Sequence, residues 1–202
     1  MDTSTLPTKN NLMRLKEKIR LSKQGHDLLE KKKFILTVEK DKIKNELNEL
    51  RMELNELIEN ATLKLKYASI DVGLDELINI SEDIQVEENI NIKYKTIMGV
   101  EIPSIVYEKN EVKLNYGLFG TTSSVDECIL IFNKIKEKMI RLAELENTEI
   151  RLEESIKSVQ KRSNALQDII IPNDEKLEHE ITNILEERDR EEFTRLKVLK
   201  RR

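Results

Sequence analysis

Residues that break helices are concentrated in the middle of this 202-residue chain. Four of the five glycines (Gly73, Gly99, Gly117 and Gly120) lie between positions 73 and 120, together with Pro103. Because glycine and proline weaken or interrupt helices, their scarcity elsewhere leaves two long stretches free to form helical arms. Charged residues make up 37 % of the chain and aromatic residues 4 %. This composition favours long exposed helices over a conventional α/β enzyme or a β-sandwich.

The first arm, predicted over residues 8–69, carries apolar residues at alternating steps of three and four. From Ile43 to Ala61 this stripe is unbroken, which is the pattern of a coiled coil. Polar residues interrupt it between Ser22 and Lys40, and we interpret His26 as a polar position that fixes the register. The stripe consists of Leu12, Leu15, Ile19, Ser22, His26, Leu29, Lys33, Leu36, Lys40, Ile43, Leu47, Leu50, Leu54, Leu57 and Ala61.

The second arm, predicted over residues 124–202, shows the same periodicity. Ser124 and Glu127 have the spacing of a capping box, which predicts the start of the helix. Proline removes one backbone hydrogen bond, so we expect a kink near Pro172. The predicted stripe consists of Cys128, Phe132, Ile135, Met139, Leu142, Leu145, Glu149, Leu152, Ile156, Val159, Ser163, Leu166 and Ile170, followed by Leu177, Ile181 and Ile184.

The two arms predict a mainly α fold, a long antiparallel two-helix coiled coil. A long helix with one apolar stripe needs a cover for that stripe, and each arm can cover the other. Residues 70–123 form the predicted central region, with a short helix over 74–84 and a β-hairpin over about 89–107. In the hairpin, Ile90, Ile92 and Tyr94 alternate with polar residues, and the turn is expected near Gly99. Residues 1–202 are thus predicted to form a single elongated unit.

No set of residues in the sequence predicts a catalytic, cofactor-binding or metal site. The glycines are scattered and form no phosphate-binding loop. Glu178 and His179 begin like a helical zinc motif, but Asn183 occupies the position of the required second histidine. Cys128 has no base near it in sequence, so we interpret it as a small packed apolar residue.

The C-terminal end of the second arm is a candidate contact surface. Its basic residues are mixed with acidic ones, which disfavours nucleic acid as a partner. Phe193, Leu196 and Leu199 would instead supply an apolar surface for a protein socket. The single cysteine predicts a reducing compartment, residues 1–25 contain no apolar signal segment, and no apolar run predicts insertion into a membrane.

Several stretches near both ends of the chain resemble one family, the D subunit of the rotary V/A-type ATPases. The resemblance covers both arms. It rests on Pro7-Thr8-Lys9, Leu12, Leu15, Gly25, Leu28-Leu29 and Lys32 near the start, and on Arg162, Asn164-Ala165-Leu166, Ile171-Pro172, Glu186–Lys197 and Lys200 near the end.

The resemblance implies a non-catalytic central-stalk subunit that needs no cofactor. Such a shaft transmits torque between ATP synthesis or hydrolysis in a hexamer of A and B subunits and proton or sodium transport in a membrane ring. Its expected partners are that hexamer, the F subunit of the stalk and a funnel-like subunit that joins it to the ring. The complex would be cytoplasmic and peripheral to the membrane. Candidate contact residues are Phe193, Arg195, Leu196, Lys197 and Lys200 at the tip, and Ile90, Ile92 and Tyr94 at the hairpin.

Two other classes of protein are compatible with helical arms and a hairpin. A prefoldin-like chaperone also places hairpins between coiled-coil arms, but it exposes apolar arm tips, whereas the tips here are strongly charged. The other class is a cytoskeletal or scaffold coiled coil. Both would form a stable homo-oligomer, whereas a stalk subunit would occur once in a heteromeric complex.

Overall fold

The fold is mainly α, with two long helices packed together and a small antiparallel hairpin, as predicted. The computed structural model describes residues 6–83, 90–107 and 122–200. Its elements are helix α1 (Lys9–Val72), helix α2 (Leu74–Asp83), strand β1 (Ile90–Ile97), strand β2 (Val100–Tyr107), helix α3 (Ser123–Asn164), a π-helical segment (Ala165–Ile170) and helix α4 (Ile171–Lys200).

Backbone contacts group the chain into two compact units, to which α1 and α3 both contribute. The terminal unit comprises Met1–Leu36 and Ile156–Arg202, and the central unit comprises Thr37–Ser155. The sequence-based domain boundaries, including a single elongated unit, stay a prediction.

Local signals in the sequence define both ends of α1. The Thr8 hydroxyl accepts a hydrogen bond from the backbone N–H of Asn11 at 3.2 Å, which is the geometry of an N-cap. The helix runs for 64 residues and ends at Val72. Gly73 follows with a φ of 92°, a left-handed conformation that glycine adopts without a steric penalty and that commonly ends helices.

In the central unit, α1 packs antiparallel to α3. Lys40 pairs with Glu153 and Lys64 pairs with Glu127, so the partner's number falls as the number in α1 rises. Leu47, Leu54 and Ala61 of the predicted stripe are buried, as is Leu152 of α3. Where α1 ends and α3 begins, helix α2 joins the pair through a buried cluster of Ala68, Ile80 and Val125.

In the terminal unit, α1 is again antiparallel to its partner, here α4. Leu15, Ile19 and Ile181 form a buried cluster. Lys9 lies 3.4 Å from Asp189 and Lys23 lies 2.7 Å from Glu175, measured between the charged atoms. Such exposed ion pairs contribute at most about 1 kcal/mol each, so the buried apolar cluster supplies most of the stabilisation of this contact.

Two residues of the predicted α3 stripe are not part of the buried interface. Phe132 is 45 % exposed and Met139 is 52 % exposed, whereas their neighbours Cys128 and Ile135 are buried. Ile131 is half-buried next to the exposed Phe132. A pair of helices buries only a narrow face, and residues one position away from that face lie at its margin or in solvent.

The predicted capping box at the start of α3 was wrong. The helix begins at Ser123, so Ser124 already lies within its first turn. The Ser124 hydroxyl donates to Asp71 of α1, and Glu127 pairs with Lys64 of α1. Both side chains thus bind the neighbouring helix, and a local sequence pattern could not reveal that alternative.

The backbone before Pro172 departs from regular α-helix. Ala165–Ile170 is π-helical, and the N–H of Ile171 bonds to the carbonyl of Leu166, five residues earlier. Proline has no N–H, and its ring clashes with the carbonyl four residues earlier in a regular helix. A wider π-turn immediately before it relieves this conflict. The kink near Pro172 stays a prediction.

The hairpin forms where the alternating pattern predicted it. β1 and β2 are antiparallel, with Ile92 opposite Ile105 and Tyr94 opposite Pro103. Met98 and Gly99 form the two-residue turn with φ angles of 50° and 79°. Positive φ at both central positions is the type I′ geometry that matches the twist of the flanking strands.

Candidate functional site

The C-terminal end of α4 is an exposed helical tip. All residues from Glu186 to Lys200 are exposed. Arg188 donates to the carbonyl of Pro7 at 3.3 Å, so the tip begins next to the start of α1. Farther along, Arg190 pairs with Glu186 and Arg195 with Glu191, each at 3.5 Å within the same helix. The tip therefore stays charged and presents its surface outward.

Apolar side chains lie together on one side of this tip. Phe193, Leu196 and Leu199 are 68, 65 and 68 % exposed. Their spacing of three residues places them on neighbouring positions of one helical face. Lys197 and Lys200 lie in the last turn, where positive charge complements the helix dipole. All five predicted tip residues (Phe193, Arg195, Leu196, Lys197 and Lys200) thus lie within about two turns of one another, in a form suited to a protein contact.

The second predicted surface is the face of β1 that carries Ile90, Ile92 and Tyr94. These residues are 48, 57 and 60 % exposed and alternate along the strand, so they share one face of the hairpin. Their cross-strand partners are Tyr107, Ile105 and Pro103. Several neighbouring apolar side chains in solvent are typical of an interaction surface.

Contacts with α3 hold this hairpin in place. The Arg151 guanidinium donates to the carbonyl of Glu101 at 3.1 Å and lies over the Tyr94 ring, 5.4 Å from its centre. At an exposed site such a cation–π contact contributes about 0.5–1 kcal/mol. Ile102 of β2 is buried, at 6 % exposed. Anchoring through Arg151 leaves Ile90 and Ile92 exposed and available to contact another molecule.

A polar cluster around the buried Ser163 in the terminal unit was not predicted in this form. Ser163 of α3 is fully buried, and its hydroxyl donates to Glu30 Oε1 at 2.7 Å. Its oxygen lies 2.9 Å from His26 Nδ1. A serine hydroxyl has one hydrogen and an ionised carboxylate only accepts, so Nδ1 of His26 carries the proton and donates to Ser163. His26 therefore interrupts the stripe as predicted, with Ser163 as its partner.

Two neighbours lower the pKa of Glu30 below its usual range. The larger effect is a hydrogen bond from Lys33, whose Nζ lies 2.6 Å from Oε2, and the smaller is the bond from Ser163. Both favour the ionised carboxylate. At neutral pH the cluster therefore contains a negative charge with two donors.

No arrangement for metal binding occurs among the residues that the structure describes. They contain no group of three or more histidine, cysteine or acidic side chains placed to hold a metal ion. Cys128 is buried at 5 % exposed, and burial raises the pKa of its thiol. A protonated, inaccessible thiol is a poor nucleophile.

The described helices also lack a membrane-spanning segment. Within residues 6–83, 90–107 and 122–200, no helix combines the length and hydropathy that crossing a bilayer requires. Together, the paired helices and the two exposed apolar surfaces define a class, that of coiled-coil proteins with a small hairpin.

Comparison with known proteins identifies the family. Residues 11–201 match the family model described as the D subunit of ATP synthase. The D subunit of the V-type ATP synthase of Thermotoga neapolitana is 36 % identical over 197 residues, covering 98 % of this chain and 97 % of that protein. The D subunit of the A-type ATP synthase of Thermococcus sibiricus is 37 % identical over 197 residues, covering 96 % of this chain and 92 % of the relative. That of Methanosarcina acetivorans is 36 % identical over 199 residues, covering 97 and 95 %.

The chain belongs to the D-subunit family of V/A-type ATP synthases. The matches cover both helical arms and the region between them, which confirms the resemblance inferred from the sequence. Matches over nearly the full length favour this family over a prefoldin-like chaperone or a scaffold coiled coil.

Proposed function

We propose that this chain is the rotor shaft of a V/A-type ATP synthase and transmits torque without catalysing a reaction itself. In this role the tip of α4 and the start of α1 turn inside the catalytic hexamer of A and B subunits. ATP synthesis or hydrolysis takes place in that hexamer, and proton or sodium transport takes place in the membrane ring. The complex would face the cytoplasm and be peripheral to the membrane.

The observation that carries this proposal is the antiparallel pairing of α1 and α4 in the terminal unit. Arg188 contacts the carbonyl of Pro7, and Lys9 pairs with Asp189. The start of α1 therefore lies beside the C-terminal part of α4. Two paired helices resist bending better than a single helix does. The exposed tip of the pair is the part that would enter a cavity in a partner protein. Membership in the D-subunit family supports the same role.

The two exposed surfaces suit different partners in this proposal. The tip, with Phe193, Leu196 and Leu199 surrounded by charges, would bear on the hexamer. The hairpin face with Ile90, Ile92 and Tyr94 would contact the F subunit of the stalk. The region between the arms would also meet the funnel-like subunit that joins the shaft to the ring. One asymmetric shaft would press differently on each of three catalytic interfaces as it turns.

The role of the tip is tested by changing its apolar face without breaking the helix. Alanine is the strongest helix former, so the triple variant Phe193→Ala, Leu196→Ala, Leu199→Ala removes apolar surface and keeps the backbone helical. We expect fewer ions transported per ATP hydrolysed in reconstituted complexes. A chain truncated before Phe193 should show a larger loss of coupling.

A matched control lies on the opposite face of the same two turns. Thr194→Ala, Val198→Ala removes two exposed side chains there and should leave coupling close to that of the unchanged complex. Normal coupling in both the triple variant and the truncated chain would refute the bearing role of the tip.

A further inference from the structure

Partway along the terminal unit, the two facing helices meet at a level where neither buries an apolar side chain. From position 20 to position 35 of α1, all within the described chain, no apolar residue is buried, and apolar burial resumes only at Leu36. On the facing helical arm, the buried residues between Val159 and Ile181 are Ser163 and Asp174. The contacts between the helices at this level include the Ser163 cluster and the ion pairs of Lys18 with Asp174 and Lys23 with Glu175.

Helix α1 has its weakest backbone position at this same level. Gly25 lies inside the helix, where glycine costs about 1 kcal/mol relative to alanine. A Cβ built on Gly25 would first meet Leu166 Cδ1, at 3.9 Å, which is an ordinary van der Waals distance. An alanine side chain therefore fits at position 25, so packing against the described residues does not require glycine there.

The facing helical arm is also irregular here. Leu166, the residue opposite Gly25, belongs to the π-helical segment Ala165–Ile170, in which no residue is buried. Pro172 is the second residue after this segment and cannot donate a backbone hydrogen bond. The irregular backbone of one helix thus lies against the glycine of the other.

We propose that Gly25 and the segment Ala165–Ile170 together form a hinge in the terminal unit. A pair of helices can bend only where both are weakened, because a regular helix would keep a weakened partner straight. Here both are weakened at one level, where no apolar side chain of either helix is fully buried. The hinge lets the part with Leu15 and Ile181 tilt against the part with Ser163.

Distances between two spin labels on α1 test this proposal in the full-length chain. With Cys128 changed to Ala, one pair of labels is attached at Asn10→Cys and Lys31→Cys, on either side of Gly25. The matched control pair, at Asn45→Cys and Lys66→Cys, has the same spacing on the same helix. Both pairs should have mean backbone separations of about 32 Å, from a rise of about 1.5 Å per residue.

We expect a broader distance distribution for the pair that spans Gly25 than for the control pair. Gly25→Ala should narrow the first distribution and leave the second unchanged. Equal widths in the unsubstituted chain, or no narrowing with Gly25→Ala, would overturn the proposal.

Amide hydrogen exchange provides a second measurement that reports on both sides of the hinge. Gly25→Ala should slow exchange of the amides just after position 25 by about fivefold, from the difference in helix propensity. Pro172→Ala should slow exchange within the segment 165–171. Asn48→Ala, an exposed change elsewhere on α1, serves as the control and should slow exchange only near position 48. Unchanged exchange on both sides of the hinge would equally overturn the proposal. Because all these readouts use the chain itself, their outcome is independent of the shaft role.

Discussion

At the scale of single residues, Ser163 shows how one polar side chain can organise a helix interface. It is fully buried yet reaches both His26 and Glu30 of α1. A buried hydroxyl is costly unless it is hydrogen-bonded. A slip of the helices that separated these side chains would leave the Ser163 hydroxyl buried without them, so the cluster favours the observed register over shifted ones.

The lowered pKa of Glu30 predicts how this cluster responds to acid. A carboxylate with a lowered pKa in the folded state adds stability above its unfolded pKa, about 4.3, and loses it as the pH falls through the folded value. Glu30→Gln removes the charge and should lower the thermal midpoint at pH 7. The difference from the unsubstituted chain should shrink as the pH falls below about 4.

Thermal unfolding followed by circular dichroism at about pH 7, 5 and 3, on either side of the ordinary carboxyl pKa, measures this effect. Glu180→Gln, which changes an exposed carboxylate of the same unit, is the control and should alter the midpoint little. A difference between Glu30→Gln and the unsubstituted chain that stays constant with pH would contradict the prediction.

At the scale of elements, the hairpin turn combines a favourable glycine with an unfavourable methionine. Met98 has a φ of 50°, a region in which residues other than glycine, asparagine and aspartate are uncommon. Asn-Gly is the preferred sequence of a type I′ turn. The turn therefore forms despite Met98, because Gly99 and the paired strands determine its geometry.

Met98→Asn should stabilise the hairpin by about 1 kcal/mol, because it relieves the cost of a left-handed conformation. Met98→Ile places a β-branched side chain at positive φ and should therefore destabilise the hairpin, the opposite effect at the same position. Hydrogen exchange of the β1 and β2 amides measures both effects. Faster exchange in Met98→Asn than in the unsubstituted chain would show that the turn is not strained at this position.

The π-helical segment shows at the same scale how a helix accommodates proline. Pro172 is the second residue after the segment, and the Ile171 N–H donates to the carbonyl of Leu166. The helical hydrogen bonding continues through a wider turn rather than ending. A sequence pattern locates the proline, but the choice between a kink, a break and a π-turn depends on what the surrounding helices allow.

At the scale of the whole molecule, function depends on which surfaces the paired helices leave uncovered. Ile90 and Ile92 are about half exposed although they are apolar, while Arg151 anchors the hairpin to α3. Burying such side chains against a partner contributes roughly 1.5–3 kcal/mol each. The hairpin face can thus make a substantial contribution to assembly.

The double variant Ile90→Thr, Ile92→Thr should weaken binding of the chain to the F subunit, the partner proposed for this surface, at least about tenfold. Threonine keeps the β-branched shape that suits a strand, so the hairpin should still form. Asn91→Thr, Lys93→Thr changes the other face of β1 and should leave binding nearly unchanged. Titration of purified partners measures both, and undiminished binding of the double variant would speak against this surface.

The sequence by itself determined the elements of this protein. The position of the glycines, the spacing of Leu47, Leu54 and Ala61, and the alternation around Ile92 depend only on local backbone preferences and side-chain periodicity. These are properties of neighbouring residues, so they predicted the long helices, the short helix and the hairpin. The charged stretch around Phe193 was recognisable as exposed for the same reason.

The tertiary structure decided which residues of each pattern meet. Ser163 contacts His26 and Glu30, which lie 137 and 133 positions away in sequence. Ser124, predicted to cap its own helix, instead donates a hydrogen bond to Asp71. Likewise, Phe132 and Met139 fit the periodic pattern but lie outside the buried face. Periodicity indicates that a helix has an apolar side, but only the packing of the second helix determines which side chains it covers and which it leaves for a partner.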